Sequence, residues 1–205
     1  MALTREAIEW CQFRWNGTQD KKLPRVLLIG DSIVGGYWEH VTRKLAGKVT
    51  VAYFATSKCV GDPDYDHELR YALNGYTWAL VYFNNGLHGL SADEAEYAKG
   101  MRKVVKLVLT LAGPAQVMWR SSTPITLGGQ PEQFDPEKNA RILERNRLAA
   151  EIMKENQIPV DDLYAVVAGH AAICLGDGYH YNAAGQEVLG NHVAKTICNV
   201  LNIKE

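Results

Sequence analysis

A serine stands at the point where a buried strand is expected to end. Residues 25–36 read RVLLIGDSIVGG, so apolar residues lead into Gly30, Asp31 and Ser32. Polar side chains at the start of a helix accept hydrogen bonds from its free backbone N–H groups, so Asp31 or Ser32 is a candidate helix cap. The carboxyl edge of a parallel sheet is also where α/β proteins place reactive side chains, so Ser32 is equally a candidate nucleophile. The segment alone is compatible with both roles.

A nucleophilic serine needs a base, because its hydroxyl is almost never ionised at neutral pH. Among the histidines, His180 has a carboxylate at suggestive spacing: Asp177 lies three residues before it, with Gly178 between them. A turn of that length can bring the carboxylate to the imidazole Nδ1–H and leave Nε2 free to accept a proton. The alternative is a surface loop in which Asp177 caps a turn and His180 is solvated.

Acyl transfer also requires hydrogen-bond donors that face the developing oxyanion. Gly61 lies in the loop after the second predicted strand, and its backbone can approach a ligand closely because it has no Cβ. Asn84 and Asn85 directly follow the third predicted strand and carry side-chain amides. Glycine and asparagine are also ordinary turn residues, so neither feature is specific by itself.

The order of these features resembles that of the SGNH hydrolases, also called GDSL esterases and lipases. A strand leads into G-D-S, a glycine follows the second strand, an asparagine ends the third, and D-x-x-H precedes the last helix. The resemblance extends from about residue 25 to the end of the chain, and its first and last blocks are the specific ones. The third block of the family reads G-x-N-D, whereas this chain has Tyr82-Phe83-Asn84-Asn85.

The resemblance implies a serine hydrolase that acts on carboxylic esters through an acyl-enzyme and needs neither cofactor nor metal. The matching positions are Ser32 for the nucleophile, Asp177 and His180 for the acid and base, and Ser32, Gly61 and Asn84, with Asn85 as the fallback, for the oxyanion hole. It further implies a small-molecule ester as substrate. Because no long apolar insertion resembles a lid, we expect a short acyl group, preferably acetyl, on a carbohydrate-like alcohol. A lysophospholipase or thioesterase of the same family is the alternative.

Four further residues are candidate contacts for the substrate. Asp31 adjoins Ser32, His88 and Arg120 follow predicted strands, and Tyr181 adjoins His180. The polar side chains could bind a polar part of the ester, and the tyrosine could stack on a sugar ring. Each also has a structural alternative: a helix cap, a hydrogen-bonded loop residue, a solvated charge and core packing.

Two hypotheses from other functional classes remain open. A metal-dependent phosphoesterase would gather several ligands on one or two ions. Its candidate segments are Gly30-Asp31, Asn84, His88 and Gly190-Asn191-His192. The last of these falls in an amphipathic helix, where we expect it to be plain helix surface. A non-catalytic binding protein on the same scaffold is the other hypothesis, because a fold does not fix a function.

Strands and helices are predicted to alternate along the chain. The predicted strands are residues 26–29, 48–54, 78–83, 115–121 and 158–160, and the predicted helices are 33–46, 67–74, 92–112, 137–156 and 183–201. The alternation predicts a three-layer α/β/α sandwich with a mainly parallel five-stranded sheet, flavodoxin-like and of the SGNH type. We expect one domain over 1–205, with a helix at 3–12 and a lead-in before residue 25, the core after it, and a functional loop at 122–136.

Composition bounds the compartment and the partners. The chain has 205 residues with 47% hydrophobic and 22% charged residues and a net charge of −1, which gives no electrostatic footprint for nucleic acid. Charges near the N-terminus oppose a signal peptide, and the apolar runs are too short to cross a bilayer. Cys11, Cys59, Cys174 and Cys198 form no C-x-x-C pair, which favours free thiols in the cytoplasm, although a secreted protein without its signal would look the same. Oligomeric state is left open.

Overall fold

Apolar strands and amphipathic helices alternate along the structure, a computed structural model that describes residues 5–204. The strands are β1 (Cys11–Arg14), β2 (Arg25–Gly30), β3 (Thr50–Thr56), β4 (Leu80–Phe83), β5 (Gln116–Arg120), β6 (Thr126–Leu127), β7 (Gln130–Phe134) and β8 (Val160–Asp161). The helices are α1 (Ser32–Lys44), α2 (Pro63–Asn74), α3 (Glu94–Leu111), α4 (Lys138–Glu155), α5 (Leu163–Val167) and α6 (Ala183–Leu201), with a short 3-10 helix at Ala171–Ile173.

The main sheet has the strand order β1-β3-β2-β4-β5-β8. Its last five strands are parallel to one another, which confirms the predicted class of fold. Successive side chains of a strand point to opposite faces, so the central strands supply two cores. One core lies against α2, α3 and α4, and the other lies against α1, α5 and α6. The helices therefore form a layer on each side of the sheet.

The N-terminal segment differs from its prediction. Residues 3 and 4 of the predicted helix lie outside the described residues, residues 5–10 are not helical, and Cys11–Arg14 forms β1. This strand pairs antiparallel with β3, so the sheet has six strands where five were predicted. The pairing satisfies the backbone groups along one edge of β3, and the ring of Phe13 stacks on Phe54 at 5.0 Å. Tertiary pairing thus overrides the helical spacing of the apolar residues.

The loop predicted at 122–136 contains a structure of its own. Strands β6 and β7 form a small antiparallel hairpin with Gly128 and Gly129 at its turn. Gly129 has a φ of +76°, a conformation that glycine adopts at little cost. The hairpin lies outside the main sheet, next to the loop before α6. None of the helices within residues 5–204 is both long and apolar enough to span a bilayer.

A buried carboxylate joins β8 to α6. Asp161 accepts hydrogen bonds from the Tyr82 hydroxyl and from Nε2 of His192, the latter at 2.7 Å. Burial raises the pKa of Asp161, but the bonds from His192 and Tyr82 more than offset this, so the pKa is lowered overall. His192 was predicted to be plain helix surface. It is instead partly buried, and its hydrogen bond to Asp161 raises its pKa above the usual 6.5.

This pair predicts a pH-dependent loss in His192→Gln. A raised pKa in the folded state adds stability that is complete below the unfolded pKa near 6.5 and is lost as the pH rises through the folded value. We expect the variant to be less stable by about 1.5 kcal/mol at acidic pH, as for hydrogen bonds to charged groups, and the deficit to shrink at alkaline pH. Urea unfolding across this range measures it, with His67→Gln on the exposed face of α2 as the control. A deficit independent of pH would contradict the assignment.

Candidate active site

At the end of β2, Asp31 takes the role of helix cap, which leaves Ser32 free for the role of nucleophile. Asp31 is the N-cap of α1, and its Oδ1 accepts the backbone N–H of Ile33 at 3.0 Å. Ser32 is the first residue of the helix, so its own hydroxyl is not needed as the cap. The backbone N–H groups of the first helical turn have no acceptor within the helix and create a positive electrostatic potential there. Ser32 therefore stands beside unpaired donors at the carboxyl edge of the sheet.

The structure brings Ser32, His180 and Asp177 together in one line. His180 Nε2 lies 2.8 Å from Ser32 Oγ, and its Nδ1 lies 2.6 Å from Asp177 Oδ2. With the Nδ1–H bonded to the carboxylate, Nε2 carries the lone pair and can accept the serine proton. The imidazole and carboxylate side chains are 41% and 43% exposed, so solvent can reach both groups. This arrangement has the hydrogen-bond geometry of a nucleophile, a base and the group that orients the base.

The carboxylate of Asp177 is held in its ionised form. Burial raises its pKa. The hydrogen bonds from the backbone N–H groups of His180 and Tyr179 and from the imidazole lower the pKa by more than burial raises it, so the pKa is about 2. The two N–H groups donate to Oδ1 at 2.8 and 2.9 Å, which leaves Oδ2 to the imidazole. Asp177 therefore stays negative at any pH at which the imidazole can act as a base.

The hairpin β6–β7 supports the loop that carries this pair. The N–H of Thr126 donates to the carbonyl of Gly178 at 2.9 Å, and the N–H of Gly129 donates to that of Gly176 at 2.7 Å. Gly176 and Gly178 have φ values of +97° and +93°, which side chains rarely adopt. A Cβ on Gly178 would also lie 2.7 Å from the carbonyl oxygen of Thr126. The length of residues 122–136 predicted a functional loop, but the hairpin within it and its hydrogen bonds to Gly176 and Gly178 were not predicted.

Gly61 lies in the loop between β3 and α2, directly before Asp62, the N-cap of α2. It is exposed, and a Cβ placed on it would meet nothing within 4 Å. Burial raises the pKa of the Cys59 thiol, and the backbone N–H of Gly61 opposes this rise by hydrogen bonding to the sulfur. The structure thus leaves room around Gly61 but directs its N–H at Cys59.

The two asparagines after β4 point to different neighbours. Asn84 donates its Nδ2 hydrogens to the carbonyl of Arg120 at 2.7 Å and to Ser122 Oγ at 3.1 Å. Asn85 donates to the carbonyl of Lys58 at 2.8 Å, towards the loop after β3. Asn84 also lines a crevice with Asp31 and Ile33, the neighbours of Ser32. Asn84 is therefore the asparagine at the Ser32 end of the site, with both amide hydrogens engaged.

Arg120 is buried and bonded to backbone carbonyls. Its side chain is among the buried charged groups, at 2% exposure, and its Nη1 and Nη2 donate to the carbonyls of Tyr82 and Ile29. Its contact with the ester stays a prediction. A charged residue after a strand is usually solvated, and the sequence carries no signal that this one is enclosed.

The other three candidate contacts also have structural partners. Asp31 is the buried cap already described, and Tyr181 is buried in the core with α1 and α6. Both line crevices beside the site, and their contact with a substrate stays a prediction. His88 forms a hydrogen bond of 2.7 Å through Nδ1 to Glu6 Oε1, and its contact with a substrate stays a prediction.

The residues considered for a metal centre have partners within the protein. His192 is paired with Asp161, His88 with Glu6, and Asn84 with backbone and hydroxyl groups around Arg120. Across residues 5–204 there is no group of three or more histidine, cysteine, aspartate or glutamate side chains that could hold an ion.

The sequence matches no protein-family model and no curated protein. Solved structures are similar to it. The native aryl esterase of M. smegmatis superposes with a TM-score of 0.71 and 19% identity, over 86% of this chain and 99% of the other. Est24, a carbohydrate acetylesterase from Sinorhizobium meliloti, has a TM-score of 0.68 and 19% identity, over 86% of this chain and 99% of its own. The acetyl xylan esterase AlAXEase has a TM-score of 0.66 and 17% identity, over 84% of this chain and 99% of its own. At these identities, the shared property is the fold.

Gly178→Ala tests the support of the His180 loop by the hairpin. The new Cβ must push the Thr126 carbonyl away, so we expect ester hydrolysis to fall about tenfold, since small displacements of reacting groups carry such costs. Gly176→Ala is the matched control, because its φ is as positive but its Cβ would meet nothing within 4 Å. The measurement is kcat on p-nitrophenyl acetate, with urea unfolding alongside. Equal losses in the two variants would show that backbone strain, and not the hairpin contact, matters.

Proposed function

We propose that this chain, whose fold is that of the SGNH hydrolases, is a serine esterase that hydrolyses short-chain esters through an acyl-enzyme on Ser32. The observation that carries the proposal is the contact of 2.8 Å between Ser32 Oγ and His180 Nε2, with Asp177 on the other ring nitrogen. A serine hydroxyl needs such a base to attack a carbonyl at neutral pH.

The first half of the reaction transfers the acyl group to the protein. Ser32 Oγ attacks the ester carbonyl carbon while its proton passes to His180 Nε2, and Asp177 stabilises the imidazolium. The tetrahedral intermediate collapses when its bond to the alcohol oxygen breaks. That oxygen takes the proton from His180 as the alcohol leaves, and Ser32 is left acylated.

The second half returns the protein to its starting state. A water molecule gives a proton to His180 Nε2 and attacks the acyl carbon. The bond between that carbon and Ser32 Oγ then breaks, and the proton on His180 returns to Ser32 as the carboxylic acid leaves. The exposure of the His180 side chain supports this step, because water can reach the imidazole.

The oxyanion is stabilised by the N–H groups of Ser32 and Gly61 and by the amide of Asn84. The position of Ser32 in the first turn of α1 supports its part, since these N–H groups lack helical acceptors. Asn84 can contribute when the longer of its two contacts, to Ser122 Oγ at 3.1 Å, opens. Gly61 contributes when its N–H turns from the sulfur of Cys59.

A short acyl group on a carbohydrate-like alcohol is the proposed substrate. The similar structures include an aryl esterase, a carbohydrate acetylesterase and an acetyl xylan esterase, which supports an ester with a small acid part. Among the crevices near the site, one beside the neighbours of Ser32 and one beside His180 each have a volume of about 10 Å³. That is the space of roughly one water molecule, so a long acyl chain would find little to bury against.

Ser32→Ala is the direct test of the proposed nucleophile. The substitution removes Oγ at a partly buried helix start and leaves the Asp31 cap intact, so the fold should be retained while ester hydrolysis falls by about three orders of magnitude or more. The measurement is p-nitrophenyl acetate hydrolysis together with labelling by an organophosphonate, read by intact mass. A matched control is Ser91→Ala, in the segment before α3. Hydrolysis by Ser32→Ala near the wild-type rate would end the proposal.

Chain-length preference tests the proposed substrate class. Each CH₂ group buried in a real pocket contributes about 0.8 kcal/mol, or nearly fourfold in kcat/KM. Without such a pocket, we expect p-nitrophenyl acetate to be the best ester and kcat/KM to fall from acetate through butyrate to octanoate. Acetylated oligosaccharides measured alongside test the alcohol part. A rise towards octanoate would instead support a lipase-like or thioesterase-like substrate.

A further inference from the structure

We propose that Arg120 is a positioning residue for the reaction at Ser32: from the end of β5 it fixes the ends of β2 and β4, and through them Ser32 and Asn84. The inference rests on the proposed function. It gives a role to the buried side chain of Arg120, which was predicted from the sequence to contact the substrate.

The guanidinium of Arg120 bridges two strand ends. Nη2 donates to the carbonyl of Ile29 at 2.6 Å, and Nη1 donates to the carbonyl of Tyr82 at 2.8 Å. Ile29 lies three residues before Ser32, and Tyr82 lies two residues before Asn84. Both carbonyls belong to neighbouring parallel strands at the point where their pairing ends. One side chain therefore ties the two strands together next to the groups that must meet the ester.

The backbone of Arg120 completes the connection. Its own carbonyl accepts Nδ2 of Asn84 at 2.7 Å, and the backbone N–H of Asn84 donates to the carbonyl of Ile29 at 2.9 Å. The carbonyl of Ile29 thus receives both Arg120 and Asn84. Three adjacent strands, β2, β4 and β5, are closed into one hydrogen-bonded set at the edge that carries the site.

The surroundings of the side chain suit an arginine. The planar group lies over the ring of Tyr82 at 5.1 Å and near that of Tyr37 at 5.9 Å. The carboxylate of Asp161, whose pKa Arg120 helps to lower, provides an opposite charge nearby. A guanidinium offers donors in a fixed fork that can reach two carbonyls at once, whereas an ammonium is a single point on a flexible stem. Lysine would keep the charge but could not hold both strand ends in the same way.

Arg120 also explains the glycine before Asp31 and Ser32. A Cβ on Gly30 would lie 2.6 Å from Nη2 of Arg120 and 3.0 Å from a methyl carbon of Val34. Gly30 has an ordinary φ, so the requirement for glycine here is one of space and not of backbone conformation. The guanidinium therefore lies against Gly30, the residue directly before Asp31 and Ser32.

Arg120→Lys is the central test. The loss of the fork should let the ends of β2 and β4 shift, and displacements of about 1 Å can cost about a hundredfold in rate. We expect kcat on p-nitrophenyl acetate to fall about tenfold or more with KM within about twofold of wild type. Labelling of Ser32 by the organophosphonate should slow in parallel. The pH midpoint of kcat/KM should stay in place, because His180 and Asp177 are untouched.

Controls separate positioning from folding and from substrate binding. Arg147→Lys, in an exposed ion-pair cluster on α4, is the matched control and should keep wild-type kinetics. A folded Arg120→Lys variant with wild-type kcat would overturn the inference and leave the esterase proposal standing. A raised KM at unchanged kcat would overturn it too, by making Arg120 a substrate contact. Absence of ester hydrolysis in the wild-type protein would remove both proposals.

Gly30→Ala alone keeps the inference testable if Arg120→Lys folds poorly, because wild-type kcat in a folded Gly30→Ala variant would also overturn it. Where both variants fold, a double-mutant cycle tests the coupling between the two residues. Gly30→Ala must displace the guanidinium, so it should lower kcat about tenfold in the wild-type background. Combined with Arg120→Lys, where Nη2 is gone, the added loss from Gly30→Ala should be about threefold or less. Losses that simply multiply would show that Gly30 and Arg120 act independently, which would overturn the explanation. Gly35→Ala, whose Cβ would meet nothing within 4 Å, is the control glycine.

Discussion

The hydrogen bond between Ser32 and His180 joins side chains that are 148 positions apart in the sequence. It can form only if the elements that carry the two residues are held close together. The serine is fixed by a strand end and a helix start. The histidine arrives on a loop, and loops need outside support to hold an imidazole within hydrogen-bond range. That support comes from within the loop, through Asp177 and its backbone donors, and from the β6–β7 hairpin.

Rigidity is distributed unequally between the two sides of the site. On the serine side, Arg120 and Asn84 connect three strands through backbone carbonyls that water does not reach. On the histidine side, the groups are about two-fifths exposed, and two backbone hydrogen bonds connect their loop to the β6–β7 hairpin. In the proposed reaction, such a division would hold the attacking oxygen closely while leaving the imidazole the small freedom that proton transfer in two directions requires.

Local patterns predicted much of this molecule. Buried strands followed by glycine or asparagine, and helices with apolar residues at regular spacing, gave five strands and five helices of the core with small errors at their ends. The strand at Cys11–Arg14 was missed because its partner, β3, lies some forty residues further along the chain. The enclosed state of Arg120, and the pairing of His192 with Asp161, were missed for the same reason. Burial is decided by elements distant in sequence, and a charged residue looks the same whether or not something covers it.

The position of β1 at the end of the sheet has a consequence for self-association. All seven residues of β3 are buried, and its sequence TVAYFAT is apolar with a high preference for extended structure. Without β1, this strand would present an open row of amide and carbonyl groups, the kind of template on which chains add to one another as fibrils. The four residues Cys11–Arg14 occupy that row and turn Gln12 and Arg14 outward. The edge of the sheet is therefore a strand of four residues with exposed polar side chains, which is a poorer template for such addition than β3 would be.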